Sequence, residues 1–230
     1  MQPNINGRML LRWIAANALG LGVGFVAAIQ TEMLFKFGFD WEKHWNWTGQ
    51  AVDQDVFSYV ITLVVLLVAG VILGSAQALI LRGRLNTVAP WILATVAGFV
   101  VCAVIIDWPL IAVGVLGSIP GPVEPFILTV GGCALASVFQ FMMLRKAGIH
   151  GSKWLLLWII GLVAGVVLTG VVIMSFESFA ISIGWPLELF VNGFFVGGVA
   201  ALLSGKALFV ALAERQEQSD NTPMVDNDAA

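Results

Sequence analysis

Three carboxylates, Glu32, Asp107 and Glu177, and two amides, Gln77 and Gln140, are the residues of this 230-residue chain whose type and setting could do chemistry. Each lies in or at the end of a long apolar run. There an acid could draw and ligate a cation or cationic solute, and an amide could line a polar path with both donors and acceptors. At 1.5 Å per helical residue, Asp107 falls about 24 Å beyond Trp91, Glu32 about 28 Å beyond Trp13 and Glu177 about 34 Å beyond Trp154. Asp107 is therefore the deepest of the three acids. All three close a run, where a carboxylate faces the unfavourable end of the helix dipole. Asp55, Glu124 and Glu188 begin runs instead, and N-terminal capping accounts for them.

Other chemistry finds little support. No G-x-S-x-G, H-E-x-x-H, CxxC or phosphate-binding loop occurs, so no catalytic residue is assigned and nothing points to an enzyme. His44 and His150 fall in opposite loops, which leaves no histidine-based metal site, and no cofactor is implied. Lys206 could suggest a Schiff base, but its position puts it near the headgroups, where it would snorkel. Cys102 and Cys133 sit inside apolar runs as small packing residues rather than reactive thiols.

The elements that must position these groups are membrane helices. Apolar residues make up 59% and charged residues 11% of the chain, with a mean hydropathy of +0.94, against roughly 25% charged in soluble domains. Runs long enough to cross a bilayer occur at about 10–31, 56–81, 89–108, 123–144, 154–176 and 187–212. They lack the period-2 alternation of barrel strands. The expected fold is an all-α integral membrane domain over residues 1–213, followed by an acidic, disordered cytoplasmic tail over 214–230.

The six spans read as three repeated two-helix hairpins. Gln77, Leu81, Arg82, Trp91 and Gly98 follow Q-x3-L-R-x8-W-x6-G, and Gln140, Leu144, Arg145, Trp154 and Gly161 repeat it without a gap. Trp13 and Gly20 carry the first odd half. In span 6, counting from Gly197 puts Ala200 where glutamine is expected, so the third copy lacks the polar element. Every span carries a small-xxx-small pair, which lets helix backbones approach. The stripe it shares with Gly70 and Gly74 turns Gln77 toward a neighbouring helix, and Gln140 stands likewise to Cys133 and Ser137.

Nine basic residues fall on one side (Arg8, Arg12, Arg82, Arg84, Arg145, Lys146, Lys153, Lys206, Arg215), and Lys36 and Lys43 on the other. The positive-inside rule then puts both termini in the cytoplasm. Arg12, Trp13, Arg82, Trp91, Arg145 and Trp154 would form a belt at the inner lipid headgroups. Span 1 has signal-peptide features, yet its match to the other odd spans argues for retention. Trp41 and Trp45 in the loop 37–54 share a helical face suited to the outer leaflet. The segment 109–120 reads as re-entrant or interfacial.

Repeated Trp…Gly hairpins with Q-x3-L-R at helix ends resemble a group of uncharacterised multi-spanning bacterial membrane proteins, some from phototrophs. The resemblance covers the cytoplasmic halves of spans 1 to 5, on Trp13, Gln77, Arg82, Trp91, Gln140, Arg145 and Trp154, and implies a bacterial inner-membrane location without an activity. Three hairpins are also similar in layout to mitochondrial carriers, whose P-x-[DE]-x-x-[KR] signature is absent. Two functions are expected. The first is a small-solute or cation transporter or channel-like bundle using Asp107, Glu32, Glu177, Gln77 and Gln140. The alternative is an accessory subunit of a larger membrane complex, binding helices, lipids or pigments. The lipid bilayer is a partner in either case, other membrane subunits or a second copy could dock on the small-residue seams, and nucleic acid is not expected.

Overall fold

The computed structural model describes residues 7–34, 54–82, 84–85, 88–107, 123–175 and 185–220. Six helices account for most of them: α1 (Gly7–Met33), α2 (Gln54–Leu81), α3 (Ala89–Cys102), α4 (Val123–Lys146), α5 (Ser152–Ser175) and α6 (Trp185–Asp220). A π-helical turn, Ala103–Asp107, prolongs α3. The one β-type pairing among the described residues is an isolated bridge, Arg82 to Leu85, in the α2–α3 turn.

Five helices hold a stretch long and apolar enough to cross a membrane: Gly7–Ala28, Val60–Leu81, Leu128–Lys146, Ser152–Val172 and Leu189–Gln218. The third apolar helix, Ala89–Ile105, is shorter. Where the composition suggests six comparable spans, α3 starts at a proline in its first turn and loses α-helical winding at Ala103. The tail also differs from expectation. Helix α6 runs on through Glu214 to Asp220, because Ala, Glu, Arg and Gln are good helix formers even where nothing apolar anchors them.

Glycines set the packing. A Cβ added at Gly20 would stand 3.1 Å from Ala76 Cβ, closing α1 on α2; at Gly70, 3.1 Å from Val96 Cα, closing α2 on α3. Gly98 presses on the Ala136 backbone, α3 on α4. At Gly161 an added Cβ would be 2.5 Å from Ala200 Cα, α5 on α6, and at Gly193 2.8 Å from the Leu21 carbonyl oxygen, α6 on α1. Backbones meet this closely because lipid supplies no hydrophobic drive between helices, so close van der Waals contact must hold them.

One neighbouring pair is not sealed this way. Beyond their turn, α4 and α5 scarcely touch. The turn itself is well built. Gly148 takes φ 76°, Gly148 N–H donates to Arg145 O at 3.0 Å and Ile149 N–H to Leu144 O at 2.9 Å. That is the Schellman pattern, with its apolar contact supplied by Leu144 and Ile149, both buried. Among the described residues the helices thus form a ring closed at each neighbouring pair except α4 and α5.

Candidate functional site

A polar cluster lies wholly inside the bundle, at the end where α3 and α5 begin. Gln77 Nε2 donates to Asn17 Oδ1 at 2.7 Å, and Asn17 Nδ2 donates to the Trp13 carbonyl at 2.8 Å. Gln77 Oε1 accepts from Trp91 Nε1 at 2.9 Å and from Gln140 Nε2 at 2.8 Å. Gln140 Nε2 also donates to Thr95 Oγ1 at 2.8 Å, and Thr95 Oγ1 donates to the Trp91 carbonyl at 2.9 Å. Both lone pairs of the Gln77 oxygen and both protons of the Gln140 amide are taken. Four helices are tied together by groups that would be costly to leave bare in an apolar interior.

Beside this cluster four indoles close a ring. Trp13 lies 6.4 Å from Trp91, Trp91 6.1 Å from Trp154, Trp154 6.3 Å from Trp158, and Trp158 6.4 Å from Trp13, centroid to centroid. Phe209 adds an edge contact to Trp13 at 6.1 Å. Only Trp91 finds a partner for its N–H. The buried Nε1 atoms of Trp13, Trp154 and Trp158 have none.

The reason emerges from register. Taken by the nearest backbone on the facing helix, Gly20 stands against Leu73, Gly98 against Ala136 and Gly161 against Ala200. Four residues further along the even helices stand Gln77, Gln140 and Ser204. Counting from these backbone contacts therefore moves the third-hairpin position from Ala200 to Ser204. Its buried hydroxyl is too short to cross and donates to the Ala200 carbonyl of its own helix at 2.7 Å. Four residues after the tryptophans stand Asn17, Thr95 and Trp158, all buried. The Trp158 indole occupies the third position, where the other two hairpins carry a small polar group.

Gln77 and Gln140 each face a neighbouring helix, as their stripes lead one to expect, and they meet each other, which the stripes do not specify. Trp13, Trp91 and Trp154 differ from the expected headgroup belt: all three are 0% exposed. Trp13 stands six residues into α1, Trp91 and Trp154 in the first turns of α3 and α5, and the three rings stack inside the bundle with Trp158 instead of facing headgroups. Arg12, Arg82 and Arg145 are exposed at that end, as are Arg8, Arg84, Lys146 and Lys153. The backbones of Glu32 and Asp107 close α1 and the π turn, but their side chains lie outside the described residues, and Glu177 lies outside them entirely. So do the tryptophans of the loop 37–54, the segment 109–120 and the tail beyond Asp220. Among the described residues no group of three metal-ligating side chains assembles.

Sequence reasoning missed Asn17, Thr95 and Trp158. Their shared offset of four from Trp13, Trp91 and Trp154 was the available signal, one helical turn on the same face. No family model, curated protein or solved structure matches this chain.

Proposed function

We propose that this chain is a non-catalytic subunit of a membrane assembly, acting through its lateral surface rather than through an interior path. The observation that carries this reading is the hydrogen-bonded inner core. Gln77 and Gln140, the amides best placed to line a path, are buried and bonded to each other and to Asn17, Thr95 and Trp91. Of the five long helices α5 is the most open to its surroundings, with 28% of its apolar window buried against 44 to 56% in the other four. Its Leu156, Ile160, Val163 and Val167 are exposed, and this is where a partner helix would lie. The reading takes six spans in three hairpins, with both termini on the basic, cytoplasmic side of a bacterial inner membrane. Mild detergent extraction from native membranes should return the chain in a larger complex, with a photo-crosslinker at Val163 joining it to a specific neighbour. A monodisperse lone species without crosslinks sinks the proposal.

A second reading, passage of a cation or small solute past Glu32, Asp107 and Glu177, is favoured by the π-helical turn that ends at Asp107, since such turns frequently mark functional sites. In proteoliposomes Asp107→Asn should then abolish flux. Unchanged flux removes Asp107 as a ligand.

A further inference from the structure

Two buried oxygens outside the amide cluster also lack a partner: Thr169 Oγ1 on α5 and Asn192 Oδ1 on α6. Their residues are 3% and 8% exposed. The α5–α6 seam gives the register from which their places follow. An added Cβ at Gly161 would meet Ala200 Cα at 2.5 Å, and one at Gly165 would meet Val196 Cα at 2.7 Å. The helices are antiparallel, so one more turn along α5 reaches Thr169 and one turn back along α6 reaches Asn192. Both continue the facing stripes, with Asn192 four residues before Val196 and Thr169 four after Gly165.

A threonine hydroxyl opposite an amide oxygen would satisfy both if the two met. They do not bond, and the surrounding helices are apolar stretches of membrane length, where bulk water does not repair the loss. We propose that Thr169 and Asn192 form a site for one small hydrogen-bond donor, ammonium or water, held between α5 and α6. The occupant must donate, since an amide oxygen only accepts. It must be small, since backbones touch one turn away at Gly165. A bare divalent metal ion is a poor fit, because it asks for about six oxygens and the seam offers two. Water meets the requirement as the usual filler of buried polar gaps, and ammonium is its cationic counterpart of similar size.

A melting series on the purified full chain tests this, using wild type, Thr169→Val, Asn192→Leu and the double variant in sodium, ammonium and tetramethylammonium chloride at equal ionic strength. Either single change already empties the site, so the double variant should lose less than the sum of the two. If ammonium is the occupant, its salt raises the wild-type melting temperature above the sodium value and leaves the double variant unmoved. If water is the occupant, the non-additivity persists equally in all three salts. Thr169→Ser keeps the hydroxyl and should melt near wild type, which guards against a mere packing loss. Additive losses overturn the site, as does ammonium stabilisation of equal size in the double variant. A direct Thr169–Asn192 hydrogen bond in an experimental map also overturns it.

Discussion

The corner where α2, α3 and α4 meet and the corner where α5 and α6 meet solve one packing problem in opposite ways. In the first, Gln77 and Gln140 reach across helices and satisfy Trp91, Thr95 and Asn17. In the second, Ser204 turns back on its own helix, Trp158 fills the space, and three indole N–H groups nearby go unpaired. Close glycine seams are common to both. The difference teaches that the seams hold the helices together, while the polar cluster decides which faces must stay turned inward.

The glycine seams are common to both corners and carry the largest expected effect. Gly161→Leu forces a side chain into the Ala200 backbone and should cost about 3 kcal/mol or more, read by thermal melting in detergent. Gly170→Leu, on the same helix with open space around its Cα, should change little. Next in size, Gln77→Leu strands Trp91, Asn17 and Gln140 together. A loss of about 2 to 3 kcal/mol is expected, against about 0.5 kcal/mol or less for Ser204→Ala, whose hydroxyl serves only its own helix. Equal losses at the two sites would erase the distinction between the corners.

The indoles differ between the corners as well. Trp91→Phe removes a donor from Gln77, whereas Trp13→Phe removes an N–H that bonds to nothing. Similar volumes are lost, so Trp91→Phe should be the more damaging by about 1 kcal/mol, measured as the difference between two denaturation midpoints. The smallest effect comes from a graft. Trp158→Thr opens the third hairpin, and adding Ser204→Gln should recover about 0.5 to 1 kcal/mol of that loss, as a double-mutant cycle would show. No recovery would mean that the α5–α6 corner cannot host the glutamine arrangement.

Helical character, membrane-length apolar stretches and the inward aim of Gln77 and Gln140 were legible in the sequence because each depends on spacing within one helix. The fate of the tryptophans was not. A tryptophan near a helix end beside arginine suits a headgroup belt and an interior stack equally well. Only the rotation of each helix against its neighbours separates the two. The Ser204 position was hidden for a similar reason: glycine spacing along α6 suggests Ala200, whereas contact across the seam with Gly161 selects Ser204.

What this sequence determines by itself is the solvent of the chain and the residues available to it. An 11% share of charged residues cannot cover a soluble surface, and runs of twenty apolar residues must hydrogen-bond their backbones internally as helices. Tertiary structure alone decided that Gln140 bonds to Gln77 and that α4 and α5 stay apart. Those facts depend on which backbones come within reach, and the approach of two helices is settled by pairs of surfaces that no single stretch of sequence contains.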